Sequence, residues 1–492
     1  MKKFLYIILL MLGTSITSCT DEIMDEINKN PNNPNDVPSR LVITDAMNSS
    51  IVSVSNGDYA FYASLFIEHH VGVFNQFYNT EVRNDASVTS ATTYNNAWVS
   101  SYRTMRNLQD VVDKCSDGGS EAGNFHTLGI AQILMAYNLA VVTDACGDVP
   151  WSEALDPINH LRPVLDTQES IYAEVEKLLD EGIANLAKTT TFPALGAQDV
   201  IYGLQTNPVD YWTKLGYGLK ARYAMRLAHK GKYTYDDVIT NVGLSFTSAD
   251  DEAKYLYNGA TSFNPYYLLF TQRDMYGSSK SLDSLNMNEF DPRKAKYFIP
   301  HPDNKDTDGN PVFEFAPNGS PDQIQGRYGI SSYFNDPVQT TYIMSYHELK
   351  FLEAEANERK AAGTGKVIAQ AAITAAMTAA KIEQDSITSY LAKVDSIENL
   401  NEITFDVKYI LKEKYIASFI VEPLEAYADY RRMQSLGESD YIELLNPQTA
   451  KFPLRFTYGA DDVNNNENVR KAQEKDNGQF VYTDPVWWAS PN

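Results

Sequence analysis

The stretch WTKLGYGLKARYAMRL, Trp212–Leu227, decides the fold class of this chain of 492 residues. Its apolar residues recur every three or four positions, as they do along one face of an α-helix: Trp212, Leu215, Leu219, Tyr223 and Leu227. Trp212, Leu215 and Gly216 also match the W-x₂-L-G start of a tetratricopeptide repeat, with Leu219 in place of the usual Tyr. Because Gly216 has no side chain, a neighbouring helix can pack closely against it. The stretch therefore predicts one helix of a tetratricopeptide-like helix pair.

The same periodicity occurs along much of the chain and predicts a mainly α-helical protein. Helical patterns cover residues 45–70, 98–112, 124–146, 171–186, 342–360, 366–382 and 405–420. Long stretches rich in Asn, Asp, Gly, Pro and Tyr separate them and cover residues 72–96, 187–208, 244–340 and 435–492. Loops of this length are uncommon unless they carry function, so a ligand-binding region is expected at about 72–96 and 244–340. We predict a tetratricopeptide-like helical repeat bundle with long irregular loops and a few short hairpins, occupying residues 41–492.

The charge and composition of the chain limit its partners. The formal net charge is −23, so nucleic acid and anionic membrane surfaces are poor partners for the body of the protein. The chain contains 32 Tyr, a residue whose flat apolar face and hydroxyl suit a wet, polar ligand such as a sugar. Tyr also fills helical cores, and most of these side chains are expected to do that.

The N-terminus has the layout of a secretory signal peptide followed by a cysteine. Two lysines precede the apolar run FLYIILLML, and small polar residues then lead to Cys19. The arrangement resembles a lipobox, which predicts a signal peptide over 1–18, lipidation of Cys19 and an Asn/Pro-rich tether over 19–40. The alternative is ordinary secretory cleavage near Ser18 beside an incidental cysteine.

Two further cysteines, Cys115 and Cys146, fall at the C-terminal ends of predicted helices. If these helices are consecutive and antiparallel, their C-terminal ends point in opposite directions. About 20 residues at ~1.5 Å each would then place the thiols about 30 Å apart, beyond the reach of a disulfide. We predict two buried free thiols.

No catalytic or metal-binding motif is complete. His347-Glu348 begins like a zinc-protease helix but lacks the second histidine one turn later. Asn304, Asp306 and Asp308 imitate half of a calcium loop, but the position of the bidentate Glu holds Phe315, so a turn at Asp308-Gly309 is the better interpretation. The sequence therefore predicts a protein without cofactor, metal or enzymatic activity.

Several stretches together resemble the SusD/RagB family of nutrient-binding lipoproteins. These stretches occur in the same order as in the family. They are INKNPNNPND after Cys19, AWVSSYRTMRNL from Ala97, CGDVPWSEAL from Cys146, FDPRKAKYF from Phe290, EAYADYRRM from Glu425, and the Trp487-Trp488 pair. One departure is Met433-Gln434, where the family usually has Thr-Gly after its paired arginines. The motif residues themselves, such as Gly147, Trp151 and Asp429, are expected to be structural rather than ligand contacts.

The resemblance implies a function as well as a fold. Family members act as a hinged lid on a SusC-like TonB-dependent transporter, to which they deliver an oligosaccharide or, in some cases, a peptide. This implies an outer-membrane protein that is anchored by lipid on Cys19 and faces the cell exterior. The alternatives are the same scaffold binding peptides or another nutrient, and a surface glycosidase or plain repeat scaffold.

Two loops offer the aromatic, amide and charged side chains that a sugar site needs. They are FNQFYNTEVRND, Phe74–Asp85, and FNPYYLLFTQRDMY, Phe263–Tyr276. The predicted ligand contacts are Tyr78, Arg83 and Tyr276, followed by Phe77, Asn79 and Tyr266.

Overall fold

The structure is a computed structural model that describes residues 36–400 and 403–491. The predicted signal peptide over 1–18, Cys19 and most of the tether over 19–40 lie outside the described residues. The α-helices in chain order are α1 Ser39–Ser49, α2 Asp58–Phe66, α3 Asn75–Glu81, α4 Asp85–Val88, α5 Asn95–Cys115, α6 Phe125–Cys146, α7 Gln168–Leu186, α8 Pro208–Leu227, α9 Tyr235–Gly243, α10 Pro265–Arg273, α11 Lys294–Tyr297, α12 Tyr346–Lys360, α13 Lys366–Ala379, α14 Gln384–Asn399, α15 Val407–Ala417, α16 Pro423–Leu436, α17 Ala460–Asn465, α18 Glu467–Gln473 and α19 Phe480–Thr483.

Helices α5 to α9 pack one after another against their neighbours in the chain, and α9 then packs on α12. Glycines allow the close approach. A Cβ atom on Gly129 of α6 would lie 2.6 Å from the carbonyl oxygen of Gly182 on α7, and one on Gly216 of α8 would lie 2.8 Å from Cγ1 of Ile183. Trp212 of α8 is fully buried. The predicted fold class, a mainly α tetratricopeptide-like bundle, is confirmed.

The strands are short and pair in twos, and two of the three pairs join distant segments. They are β1 His70–Gly72 with β5 Tyr276–Ser278, β2 Val149–Pro150 with β3 Leu165–Asp166, and β4 Ala253–Tyr255 with β6 Thr341–Met344, all antiparallel. Both stretches that were expected to be irregular contain regular elements. The stretch 72–96 contains α3 and α4, and the stretch 244–340 contains β4, α10, β5 and α11. They were hard to recognise because each element is short and owes its position to tertiary contacts.

Helix α6 is the centre of the bundle. It is apolar on all sides, and by length and composition it could cross a membrane, but most of it is buried inside the protein. A helix that is hydrophobic all round belongs in a large core when other elements surround it. Its neighbours α5 and α7 cover it here.

Buried ion pairs connect the helices around α6. Arg226 of α8 contacts the carboxylates of Asp144 at the end of α6 and Glu425 of α16. On α16, the Arg432 guanidinium binds Glu355 of α12 with two hydrogen bonds of 2.7 Å each. Burial alone would raise the pKa of Glu355, but the charges of Arg432 and Arg359 hold it well below its usual range. Because each charge is paired, the network holds the later helices in register against the first half of the bundle.

Asp429 and Gly147 have structural roles, as expected, whereas Trp151 is half-buried and lines a cavity. Arg432 Nη2 donates to Asp429 Oδ1 at 2.9 Å, and Arg293 contacts Asp291 at 2.6 Å and Glu413 at 2.7 Å, all inside the core. In the first half of the chain, Gly147 ends α6 with a φ of 81°, a left-handed value that favours glycine.

Cys115 and Cys146 end α5 and α6, and both are buried and unpaired, as predicted. Burial raises the pKa of each thiol to about 11.

The calcium-like segment around Asp306 forms a turn in which Gly309 has a φ of 83° and the amide of Asp306 donates to the carbonyl of Asn310 at 3.0 Å. The interpretation of this segment as a turn is confirmed.

Candidate functional site

The two loops predicted to bind ligand lie side by side. Strand β1 follows α2 and precedes α3, while β5 follows α10, and the pairing of β1 with β5 sets Gly72 opposite Tyr276. The amide of Val73 also donates to the carbonyl of Met275 at 2.9 Å. This pairing brings α3 and α10 to the same end of α2.

A cleft of about 450 Å³ lies between these elements and continues into a more open groove of about 310 Å³. The two parts share Asp58, Phe61, Asn96 and Leu269. The remaining polar side chains of the cleft are five hydroxyls, three amides and one guanidinium, from Tyr62, Thr92, Thr93, Ser53, Ser100, Asn56, Gln76, Gln272 and Arg273. We call this combined space the α2–α10 cleft.

Asp58 is the only carboxylate among the residues that line the α2–α10 cleft. It stands in the first turn of α2, where the positive end of the helix dipole favours a negative charge. Desolvation raises the pKa of Asp58, whereas a hydrogen bond with Asn96 and the charge of Arg273 oppose that shift. The cleft therefore offers one charged acceptor and one charged donor, surrounded by amides and hydroxyls that suit a polyhydroxylated ligand.

Stacked aromatic rings form the floor beneath the cleft. Tyr266 and Tyr276 are 1% and 2% exposed, and their ring centroids lie 6.1 Å apart. The Tyr276 hydroxyl donates to the carbonyl of Phe61 at 2.9 Å, and its ring contacts Phe77, which lines the cleft with only 1% of its surface exposed. Contrary to the expectation of open aromatic platforms, these three rings are buried and pack the floor.

The other three predicted contacts lie outside the α2–α10 cleft. Tyr78 and Asn79 are half-buried on α3 and do not line it. Arg83 is buried and lines a different cavity. The structure thus groups Phe77, Tyr266 and Tyr276 around one cleft and separates Tyr78, Asn79 and Arg83 from it. Whether any of the six contacts a ligand stays a prediction.

Sequence reasoning missed the polar residues of the cleft, among them Gln76, Arg273, Asp58 and Asn96, for different reasons. Gln76 and Arg273 were inside the two predicted loops but carried no aromatic ring to draw attention. Asp58 and Asn96 stand in the first turns of α2 and α5. Asp58 lies inside the helical pattern predicted over 45–70, and a single acid within such a pattern is a weak functional signal.

Other cavities are less suited to an extended ligand. One of about 450 Å³ lies beside the loop after β2 and contains Trp151 and Arg106, and one of about 460 Å³ lies between the start of α7 and Trp487. Neither is lined by residues of the two predicted ligand loops, Phe74–Asp85 and Phe263–Tyr276. Among the described residues, no group of three or more His, Cys, Asp or Glu side chains is arranged to hold a metal ion.

A helical repeat bundle whose loops form one polar cleft over an aromatic floor defines a ligand-binding scaffold. The profile of the SusD-like family, described as starch-binding and associating with the outer membrane, matches residues 31–458. This chain belongs to the SusD-like family.

Solved structures agree with that assignment. A SusD/RagB family protein from Bacteroides thetaiotaomicron is 35% identical, with a TM-score of 0.84 over 93% of this chain and 100% of its own. A chitin-binding SusD homolog from Flavobacterium johnsoniae shares the fold at 18% identity, with a TM-score of 0.70 over 92% of this chain and 99% of its own. A further chitin-binding protein shares it at 21% identity, with a TM-score of 0.71 over 92% and 99% of the two chains. No curated protein sequence matches this chain significantly.

Proposed function

We propose that this protein captures a glycan at the cell surface and delivers it to a SusC-like TonB-dependent transporter of the outer membrane. The observation that carries the proposal is the α2–α10 cleft, which the β1–β5 pairing builds from both predicted ligand loops. Its donors and acceptors can bind sugar hydroxyls, while Phe61 and Leu269 offer apolar surface to C–H groups. The starch-binding description of the family and the chitin-binding neighbours support a glycan as the ligand.

The protein binds its ligand and does not cleave it. A glycosidase needs two carboxylates about 5 to 10 Å apart in one cleft. The described residues that line the α2–α10 cleft supply only Asp58. A surface hydrolase is therefore the weaker alternative.

The direct test is calorimetry on the full chain with Cys19→Ala, which leaves the protein without its expected lipid. Starch-derived and chitin-derived oligosaccharides are the probes. The proposal expects saturable binding of at least one probe and no release of reducing ends over hours of incubation. Absence of binding to every glycan probe, together with binding of a peptide library, would favour the peptide alternative.

Anchoring and transfer need a test in cells. Cys19→Ala should move the protein from the membrane fraction to the soluble fraction, because acylation of that thiol supplies the anchor. Affinity purification of the lipidated parent should recover a TonB-dependent transporter. A Cys19→Ala protein that stays membrane-bound and surface-exposed would exclude the lipid anchor, and a parent that recovers no transporter would exclude the partnership.

A further inference from the structure

A separate cavity of about 450 Å³ lies between helix α5 and the loop over 151–164 that joins β2 to β3. We call it the α5 cavity. Its helical wall is formed by Arg106, Gln109 and Asp113, which are spaced three and four positions apart and therefore share one face of α5. Trp151 stands at the start of the loop and forms part of the other wall. The described residues that line this cavity are all different from those of the α2–α10 cleft.

The helical wall presents hydrogen-bonding groups that are held in place and accessible. Arg106 and Asp113 are exposed, and Gln109 is half-buried. Arg106 Nη1 donates to the carbonyl of Leu155 in the loop at 3.0 Å, and Gln109 Nε2 donates to Asp113 Oδ1 at 2.7 Å. A guanidinium has several N–H donors and a carboxylate has several acceptor sites, so these bonds orient the side chains without using up their capacity. The wall can therefore donate to one hydroxyl of a ligand and accept from another.

Trp151 supplies a firmly held aromatic surface. This residue is half-buried, because it packs partly against the core and also lines the α5 cavity. The amides of Trp151 and Ser152 donate to Oδ2 of Asp166 at 2.9 and 2.8 Å, which fixes the backbone that carries the indole. An indole held in one position can pack against the C–H groups of a sugar ring with little loss of conformational entropy.

The loop that carries Trp151 is itself held in a defined shape. The amide of Val164 donates to Glu153 Oε2 at 3.0 Å and so connects the two ends of the loop. Leu155, whose carbonyl accepts from Arg106, has a φ of 62°, in the left-handed region that a residue with a side chain adopts only at an energetic cost. Such conformations persist where the surrounding structure imposes them, and they are concentrated at ligand-binding sites. The second wall of the α5 cavity is therefore formed before any ligand binds.

We propose that the α5 cavity is a second saccharide-binding site, in which a sugar ring packs on the indole of Trp151 while Arg106 donates to one of its hydroxyls and Asp113 accepts from another. The volume lies within the range of small-ligand pockets and suits a short oligosaccharide or the end of a longer one. The proposal rests on the proposed function only in that its ligand is a glycan. The residues that carry it lie outside the α2–α10 cleft.

Tryptophan fluorescence tests the site directly, because the five tryptophans differ in exposure. Trp151 and Trp487 are half-buried. The other three are at most 1% exposed: Trp98, Trp212 and Trp488. In the full chain with Cys19→Ala and Trp487→Phe, Trp151 is the one tryptophan that acrylamide can readily reach and quench. At least one starch-derived or chitin-derived oligosaccharide should shield Trp151 from acrylamide in a saturable manner.

The concentration dependence of the shielding gives the affinity. Asp113→Ala in the same chain should weaken it about tenfold, because an exposed carboxylate that accepts from a sugar hydroxyl is lost while the core is untouched. The matched control carries Trp151→Phe in place of Trp487→Phe. In that chain the same oligosaccharide should leave the quenching of Trp487 unchanged.

Arg273→Ala separates the α5 cavity from the α2–α10 cleft. It should weaken the oligosaccharide binding that calorimetry detects in the cleft, while Trp151 stays shielded. The proposal is overturned if no oligosaccharide shields Trp151, if Asp113→Ala leaves the affinity unchanged, if the shielding disappears with Arg273→Ala, or if only a peptide library shields Trp151. If Arg273→Ala weakens binding and no glycan shields Trp151, the proposed function stands and this inference alone fails.

Discussion

The indole Nε1 of Trp488 donates a hydrogen bond of 2.7 Å to Oδ1 of Asp144, which joins the C-terminal segment to the end of α6. The other oxygen of this carboxylate contacts Arg226 of α8. The backbone amide of Trp488 also donates to Gln168 Oε1 at 3.1 Å, at the start of α7. The last residues of the chain thus close the network that holds α6, α7 and α8 together.

Arg273→Ala should weaken oligosaccharide binding about tenfold to a hundredfold. Arg273 is exposed at the end of α10 and is the one guanidinium that lines the α2–α10 cleft, so its removal deletes a charged donor without disturbing the core. Losses of this size correspond to about 1 to 3 kcal/mol. Calorimetry with the best-binding oligosaccharide measures the change. The control is Lys280→Ala, because Lys280 is an exposed cation that does not line the cleft. Equal oligosaccharide affinities of the two variants would mean that the ligand binds elsewhere.

Tyr276→Ala should reduce the free energy of unfolding by about 3 to 5 kcal/mol, the usual cost of deleting a buried aromatic ring. Tyr276→Phe should cost only about 1 kcal/mol, because it loses one hydrogen bond to the carbonyl of Phe61. Urea denaturation measures both. Glycan affinity of Tyr276→Phe should stay within twofold of the parent. A well-folded Tyr276→Ala protein that no longer binds glycan would identify the ring as a direct ligand contact.

Arg432→Ala should reduce the free energy of unfolding by about 1.5 to 3 kcal/mol, because it removes the hydrogen bonds that Arg432 gives to the buried carboxylates of Glu355 and Asp429. Arg359 and Lys414 remain as their second partners. The control is Arg470→Ala on α18, which removes an exposed pair with Glu474 and should cost at most about 1 kcal/mol. Denaturant titration of both variants gives the comparison. Similar values for the two would mean that the buried network contributes little to stability.

Stability should fall with rising pH through the titration of Glu81. Its carboxylate accepts hydrogen bonds from the amides of Gly319 at 2.6 Å and Gly72 at 3.2 Å. Burial raises its pKa from 4.5 to about 7, with Arg83 opposing and Glu68 adding to the shift. Because the folded pKa lies above the unfolded value, the stabilising contribution is complete below pH 4.5 and is lost as the pH rises through about 7.

Glu81→Gln isolates this effect, since the variant does not titrate. The free energy of unfolding of the parent, relative to the variant, should fall by about 3 kcal/mol between acidic pH and about pH 8. Urea denaturation at several pH values measures the difference. A difference that stays constant over this range would show that Glu81 keeps an ordinary pKa.

The fold class could be predicted because helical periodicity is a local property of the sequence. Trp212 and Gly216 indicated both the helix and its close packing, and the structure confirms both. The positions of Cys115 and Cys146 at helix ends followed from the same patterns. The β1–β5 pairing could not be predicted, because each strand has only three residues and its partner lies far away in the sequence.

The candidate site could be predicted by region but not by residue. The aromatic residues of both loops were predicted to contact the ligand. Tertiary packing decides which of them are buried, and it turns Tyr266 and Tyr276 inward. The polar residues Gln76 and Arg273 reached the cleft from the same loops without any distinctive local pattern. A loop sequence therefore indicates where a ligand could bind more reliably than which side chain contacts it.

The contact between Trp488 and Asp144 joins residues that lie 344 positions apart in the sequence. Closing a loop of this length costs more chain entropy than a local contact does, so the contact relies on the packed helices that surround it. Until the segment around Trp488 packs against the bundle, Asp144 lacks its indole donor and the network that joins α6, α7 and α8 is incomplete.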